Sequence, residues 1–164
     1  PDSVKFIGGN AFAKCEKTNL CALIDTNLTA AEALASDFGG KAYASIDYVP
    51  EKIDVVAVAT PAMAHFSVVM DLLDRGIDVL CEKPLCTSVA EAEEIAALPL
   101  AKGQVCGMVF NNRWIAPVMR AKQLIDEGLI GKIVSFRTTF GHGGPETWSI
   151  APGSNVWFFD SRAV

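Results

Sequence analysis

The sequence of 164 residues predicts an α/β protein with a doubly wound parallel sheet, followed by the start of an α/β domain with an open antiparallel sheet. Apolar runs alternate with amphipathic helical segments through short connections, an order typical of parallel β-α-β units. Residues 53–60, IDVVAVAT, are apolar almost throughout, as expected for a strand buried on both faces of a parallel sheet. Residues 132–140, KIVSFRTTF, instead alternate with a period of two, which favours an antiparallel strand with one polar face.

The first unit of this alternation is a strand followed by a helix. The apolar run LCALID at residues 20–25 predicts the strand. In the segment that follows, Thr29 and Glu32 have the spacing of a helix-capping box, and Gly39 and Gly40 predict the end of the helix.

Two further units follow the strand at residues 53–60. Apolar residues at i, i+3, i+4 and i+7 predict a helix that ends at Gly76, namely Phe66, Val69, Met70 and Leu73. The run IDVLCE predicts the next strand, and Ser88 with Glu91 predicts a capping box at the start of the next helix. The run QVCGMVF at residues 104–110 predicts the last strand of the series.

The pattern changes after residue 110, and we place a domain boundary between residues 112 and 113. We expect residues 1–112 to form the parallel α/β domain and residues 113–164 to begin the second domain. In the second domain, Pro117 predicts the start of a helix and Gly128 its end.

Composition limits the class of partner. A net charge of −5 and a pI near 5.0 argue against nucleic acid or an acidic membrane surface, since both require a basic face. No apolar run reaches the roughly 18 residues of a membrane span, so we expect a cytoplasmic protein. The five cysteines contain no C-x-x-C pair, so neither a disulfide framework nor a metal site is indicated. A small-molecule partner fits this composition best.

Polar residues follow three of the predicted strands, at the positions where ligands bind in open parallel sheets. They are Asp25, Thr60 and the pair Glu82–Lys83. A surface ion pair or a turn would explain Glu82–Lys83 alone, but polar groups at three strand ends favour a common crevice.

Asp25 occupies the position of the acid that accepts hydrogen bonds from the adenosine ribose in dinucleotide-binding folds. A carboxylate there repels the extra phosphate of NADP, which favours NAD. Taken alone, Asp25 fits a turn or helix-capping role equally well.

The glycine-rich turn that normally accompanies such an acid is not found. In IGGNAF, Asn10 stands where the second glycine is required, and Gly8 lies only 17 positions before Asp25. We therefore expect the first strand and its glycine turn to be missing from this chain.

The segments VAVATPAMAHFSVVMDLLDRGIDVLCEKPL, FNNRW and LIDEGLIGKI resemble the Gfo/Idh/MocA family of NAD(P)-dependent sugar and polyol oxidoreductases. The resemblance covers roughly residues 20–140. It implies a dinucleotide-binding Rossmann domain followed by a domain whose open sheet supports the substrate site and often an oligomer interface. We thus expect NAD or NADP as cofactor, a sugar, inositol or related polyol as substrate, and a homo-oligomeric full-length protein.

By this resemblance, Thr60, Pro61 and His65 border the dinucleotide, and Glu82 and Lys83 lie beside the nicotinamide. Pro84 corresponds to a proline at which the family's peptide turns, often in cis. For His65, a capping or surface histidine is the alternative.

Lys83 is the predicted catalytic residue. Removal of a hydride from an alcohol carbon leaves negative charge on the oxygen, and a positive group held nearby stabilises it in the transition state. Glu82 is expected to orient the cofactor or the lysine rather than to react.

Arg113 and His142 are the predicted substrate contacts. An interdomain ion pair is equally compatible with Arg113, and loop packing with His142. In the family an arginine follows the tryptophan, whereas in this chain Phe158 stands in place of that arginine. The chain also contains no counterpart of the family's acid/base histidine.

The sequence therefore predicts an oxidoreductase that transfers a hydride between NAD(P) and a sugar or polyol. The alternatives are a regulatory protein that binds a dinucleotide or sugar on the same scaffold without turnover, and an inert fragment of the enzyme.

Overall fold

Two parallel sheets and four α-helices make up the computed structural model, which describes residues 18–141 and 143–144. The two-stranded sheet pairs β1 (Ala22–Ile24) with β2 (Lys41–Tyr43), and the three-stranded sheet has the order β3 (Val55–Val58), β4 (Asp78–Cys81), β5 (Cys106–Met108). The helices are α1 (Leu28–Phe38), α2 (Ala62–Asp74), α3 (Val89–Ala97) and α4 (Ala116–Asp126), with short 3-10 helices at Ile46–Tyr48 and Asn111–Trp114. Every strand pair is parallel, so the predicted α/β class is confirmed.

The β1–α1–β2 unit differs from prediction at the start of its helix. The expected capping box of Thr29 and Glu32 is wrong, because α1 begins at Leu28 and Thr29 lies inside its first turn. The side-chain oxygen of Asn27 accepts the backbone N–H of Ala30 instead, at 3.3 Å.

Strand β2 was not predicted. It is held to β1 by backbone hydrogen bonds such as Lys41 N to Cys21 O (3.0 Å). Gly40 allows the chain to enter this strand, since its φ is +83° and an added Cβ would lie 3.0 Å from the carbonyl oxygen of Leu20.

The core lies between α2 and the three-stranded sheet. Its members are less than one-tenth exposed, and each contributes roughly 1.5–3 kcal/mol by leaving water: Val58, Val69, Leu72, Leu73, Val79, Cys81 and Ile95. The buried face of α2 carries His65, Val69, Leu72 and Leu73, whereas the predicted Phe66 and Met70 are only half-buried. The observed face is therefore shifted around the helix toward His65.

The expectation that residues 53–60 are buried on both faces is wrong. Val58 is 3% exposed, but Val55 is 56% exposed, and Ala57 is exposed as well. Among the described strands β3 lies at the edge of its sheet, and α2 covers the face that carries Val56 and Val58.

The predicted starts of α3 and α4 are confirmed. The capping box of α3 is confirmed: the N–H of Glu91 donates to Ser88 Oγ (3.3 Å), and the N–H of Ser88 donates to Glu91 Oε2 (3.2 Å). Helix α4 has Pro117 in its first turn, and the chain leaves it through Gly128 at φ +70°.

Residues 132–140 form no strand, in contrast to the prediction from their alternating pattern. Val134 and Phe136 are 90% and 86% exposed. A strand requires a neighbouring strand to pair with, and no strand pairing among the described residues involves this segment. Helix α4 likewise buries none of its residues, and the domain boundary after residue 112 stays a prediction. No helix in the described ranges has the length and apolar character needed to cross a membrane.

An arginine at the end of α2 connects the helix to the segment before β3. The guanidinium of Arg75 contacts Asp47 at 2.7 Å and Asp71 at 2.9 Å. It holds the pKa of the Asp47 carboxyl below its usual range, because hydrogen bonds from Arg75 and Ser45 favour the ionised form. These pairs are solvent-exposed, so they fix geometry more than they add stability.

The side chain of Gln104 binds backbone groups at the end of α2 and just after it. Its side-chain N–H groups donate to the carbonyl oxygens of Leu73 (2.9 Å) and Ile77 (3.3 Å), and its Oε1 accepts from Ala101 N (3.1 Å). We expect Gln104→Leu to lower the free energy of unfolding by about 1–3 kcal/mol, because both carbonyls lose a side-chain donor, although that of Leu73 still accepts from the N–H of Gly76. Urea denaturation measures this, and Gln123→Leu on the exposed face of α4 is the matched control, expected to change stability by less than about 0.5 kcal/mol. Equal losses in the two variants would show that Gln104 does not support α2.

The reactivity of the Cys81 thiol reports on the burial of β4. Burial raises the pKa of its thiol from 9.0 to about 11, with smaller contributions from Cys106 and Glu82. Thiolate is the reactive form, so we expect iodoacetamide at about pH 8 to label Cys81 at least about tenfold more slowly than half-buried Cys86 in the folded protein. Since the unfolded chain ionises this thiol at lower pH, the free energy of unfolding is also expected to fall as pH rises toward 11. Fragment-ion mass spectrometry distinguishes the two cysteines, with urea-unfolded protein as the control; equal rates in the folded protein would contradict the burial of β4.

Candidate functional site

The carboxyl ends of β3, β4 and β5 meet at one edge of the three-stranded sheet. Val58, Cys81 and Met108 are neighbours in the ladder, and the N–H of Glu82 continues it by donating to the carbonyl oxygen of Val58 at 2.8 Å. The residues that leave this edge are those that sequence analysis singled out, Thr60 after β3 and Glu82–Lys83 after β4. In-register parallel pairing thus brings together groups that are more than 20 positions apart.

The turn after β4 exposes its basic residue, and the two ends of the turn contact the core. Lys83 and Pro84 are exposed, whereas Cys81 is fully buried and Leu85 packs against the core. The peptide between Lys83 and Pro84 is cis, as the resemblance implied. The turn therefore presents the lysine side chain outward from a fixed base.

Glu82 is turned toward the backbone of its neighbour. Its Oε2 accepts a hydrogen bond from the backbone N–H of Lys83 at 3.1 Å. Within the described ranges the ammonium group of Lys83 is in no salt bridge. The carboxylate thus orders the backbone of Lys83 and leaves its side-chain nitrogen available to a ligand.

His65 is buried, so the alternative of a surface histidine is wrong. The residue is 1% exposed, and it enters the core from the first turn of α2. Its Nδ1 lies 2.6 Å from the carbonyl oxygen of Pro84, and its Nε2 lies 2.7 Å from the carbonyl oxygen of Thr60. Both ring nitrogens are therefore engaged with the backbone of the two strand ends. The i, i+4, i+7 spacing of His65, Val69 and Leu72 is the sequence signal that could have placed this histidine on the buried face.

Asp25 has the turn role that was one of the two considered for it, and its contact with a ribose stays a prediction. Its Oδ1 accepts from the N–H of Asn27 at 2.7 Å, which stabilises the turn before α1. A carboxylate has a second oxygen with acceptor capacity, so Oδ2 can still serve a ribose hydroxyl. The residue follows β1 in the two-stranded sheet, and no strand pairing in the described part joins that sheet to the β3–β5 edge.

The region after β5 contributes polar groups to the same edge. Arg113 is exposed in the 3-10 helix Asn111–Trp114, and its N–H donates to the carbonyl oxygen of Phe110 at 3.0 Å. Asn111 and Asn112 precede it and were not singled out from sequence. His142, Phe158 and the glycines near residue 8 lie outside the described residues.

Exposed residues lie at the carboxyl edge of the three-stranded sheet. Thr60 and Lys83 are exposed and lie two positions after the buried strand residues Val58 and Cys81, so this edge forms an open shelf. In the described part of the chain, no group of three or more His, Cys, Asp or Glu side chains could hold a metal. Thr60, Pro61 and the turn at residues 82–84 lie at this edge, and their predicted contact with the dinucleotide stays a prediction.

A family profile described as "Oxidoreductase family, NAD-binding Rossmann fold" matches residues 5–110, well over half of the chain. Residues 5–17 belong to this match but lie outside the described residues, so the expected loss of the first strand and glycine turn remains a prediction.

Curated relatives agree with the profile. Levoglucosan dehydrogenase of Pseudarthrobacter phenanthrenivorans is 35% identical over 108 residues, which cover 65% of this chain and 27% of that protein. Glucose-6-phosphate 3-dehydrogenase of Bacillus subtilis is 28% identical over 130 residues, which cover 79% of this chain and 37% of that protein. The chain spans about a quarter to a third of the length of the first curated relatives it matches.

Solved structures show the same similarity. Myo-inositol dehydrogenase of Lactobacillus casei, in complex with NAD(H) and myo-inositol, has 31% sequence identity and a TM-score of 0.61, and the match covers 68% of this chain and 34% of that one. The parallel strands and the profile match both indicate an NAD-binding Rossmann fold, whose cofactor is NAD or NADP. The chain thus belongs to the Gfo/Idh/MocA family of NAD-binding oxidoreductases.

Proposed function

We propose that the full-length protein transfers a hydride between NAD and a hydroxyl-bearing carbon of a sugar, inositol or related polyol. The observation that carries the proposal is the exposed Lys83 at the carboxyl edge of the sheet, with its ammonium in no salt bridge within the described ranges. A cation at this position is poised to contact an oxygen atom of a ligand on the shelf.

The bound cofactor supplies the hydride acceptor or donor. Lys83 would hold the substrate oxygen, on which negative charge develops as the carbonyl forms. Glu82 would keep the lysine backbone in place through its bond to the Lys83 N–H (3.1 Å). Arg113, on the exposed 3-10 helix after β5, and His142 are the proposed further substrate contacts.

The substrate class is supported by the compounds after which the relatives are named. Levoglucosan, glucose 6-phosphate and myo-inositol are all polyhydroxylated rings. We extend the proposal to a cytoplasmic, homo-oligomeric protein. Four free cysteines in the described part favour a reducing compartment, and exposed apolar side chains such as Trp114 and Phe136 favour a covered surface.

The Lys83 side chain is tested in the full-length protein. We expect Lys83→Ala to lower kcat by about 100- to 1000-fold with a polyol that the wild type oxidises, because the transition-state oxyanion loses its cation. Nicotinamide absorbance measures turnover, and fluorescence titration measures the affinity for NAD, which is expected to change little. Lys102→Ala, an exposed lysine in the loop before β5, is the control and is expected to retain full turnover.

The result with Lys83→Ala also separates the proposal from its alternatives. Wild-type turnover that survives in Lys83→Ala would contradict the catalytic role. In the wild type, NAD binding without turnover on any polyol would favour the regulatory protein. Absence of both NAD binding and turnover in the wild type would favour an inert chain.

Asp25 tests the cofactor preference. In Asp25→Asn the side chain still accepts the N–H of Asn27, so the turn is retained while the charge is lost. We expect the affinity for NAD to fall by about 10- to 100-fold, because a charge-assisted hydrogen bond to the ribose becomes a neutral one. The ratio of the NADP to NAD affinities should rise.

Titration of both cofactors measures that ratio. The control is Asp37→Asn, at an exposed position near the end of α1, the helix that follows Asp25. An unchanged ratio would limit Asp25 to its turn role.

A further inference from the structure

We propose that His65 is a positioning residue that fixes Lys83 at the sheet edge through two backbone carbonyl groups, without touching substrate or cofactor. The inference rests on the proposed function in one respect, namely that Lys83 is the residue being positioned for reaction. It replaces the expected contact between His65 and the dinucleotide with an indirect role.

One imidazole ring spans the gap between two strand ends. The carbonyl of Thr60 belongs to the segment after β3, and the carbonyl of Pro84 belongs to the turn after β4. The last ladder bond between these strands is Glu82 N to Val58 O (2.8 Å), and the His65 contacts at 2.7 and 2.6 Å lie beyond it. His65 therefore continues the connection between β3 and β4 past the point where the sheet ends.

Among the described residues, the backbone of Lys83 and Pro84 has few other hydrogen bonds. Proline has no N–H, so the carbonyl oxygen is the one backbone polar group by which Pro84 can be held. The N–H of Lys83 is bonded to the adjacent Glu82 side chain, which is a local contact. The two carbonyl oxygens act only as acceptors, so a neutral ring donates to one of them and a doubly protonated ring donates to both.

Burial makes this attachment rigid. His65 is 1% exposed, and Val69, one turn further along α2, is fully buried in the core. A ring enclosed in this way cannot exchange its carbonyl partners for water, so losing it leaves at least one carbonyl oxygen near the site without its donor. A displacement of about 1 Å at Lys83 would then cost about 100-fold in rate, the usual sensitivity of a positioned catalytic group.

The test compares His65→Phe with Val69→Ala in the full-length protein. Phenylalanine retains a ring but offers no nitrogen to either carbonyl, whereas Val69→Ala disturbs the same buried face of α2 and removes no polar contact. Both variants are expected to be less stable in urea. Only His65→Phe is expected to lower kcat, by about 10- to 100-fold, with the NAD dissociation constant changed less than about threefold.

Hydrogen exchange provides a readout that needs no turnover. The backbone amides of Lys83 and Leu85 are expected to exchange at least about tenfold faster in His65→Phe than in Val69→Ala, because the turn loses its tie to α2. If the wild type oxidises no polyol, the proposed function fails while this comparison still decides whether His65 holds the turn. Equal exchange rates in the two variants, or an equal loss of kcat, would overturn the inference.

Two conservative variants keep the test decisive if His65→Phe does not fold. The side-chain amide of asparagine can occupy the position of Nδ1 beside Pro84, and that of glutamine the position of Nε2 beside Thr60. We expect His65→Asn to retain more kcat than His65→Gln, since the Pro84 contact adjoins Lys83. The reverse order, or no difference, would count against positioning through Pro84.

Discussion

The parallel ladder of β3, β4 and β5, clamped by the apolar face of α2, is the constraint on which the site depends. Register along this ladder makes Val58 and Cys81 neighbours, and the residues that follow them, at Thr60 and Lys83, emerge side by side. Packing sets the register, because a shift of one residue would turn Val79 and Cys81 away from α2. The position of the catalytic candidate is thus a consequence of core packing.

Around the turn after β4, buried and exposed groups alternate over very few residues. Cys81 and Leu85 hold the ends of the turn in the core, while Lys83 extends outward between them. His65 is the polar residue of an otherwise apolar buried face, and donation from its ring to a backbone carbonyl reduces the cost of burying it. Rigidity at the base and freedom at the tip suit a lysine that has to meet a substrate oxygen with little reorganisation.

The polar edge is therefore built from the backbone as much as from side chains. Glu82 binds the N–H of its neighbour, and Asp25 binds the N–H of Asn27, so both acids order turns at strand ends. Carboxylates are suited to this role because they accept at two oxygens and leave one for a ligand. Family membership indicates an NAD-binding fold, and the residues proposed to contact the dinucleotide lie in two sheets that share no strand pairing among the described residues.

Sequence by itself determined the order of strands and helices from β3 to β5, the capping box of Ser88, and the polar residues at the strand ends. These features are written in local spacing, which is why they could be predicted. Tertiary structure decided the rest. Strand β2 spans only three residues and exists through its pairing with β1, whereas residues 132–140 carry a strand pattern but take part in no strand pairing among the described residues. The burial of His65 depends on where α2 packs against the sheet. Histidine occurs both on surfaces and in cores, so the residue type alone does not predict its burial.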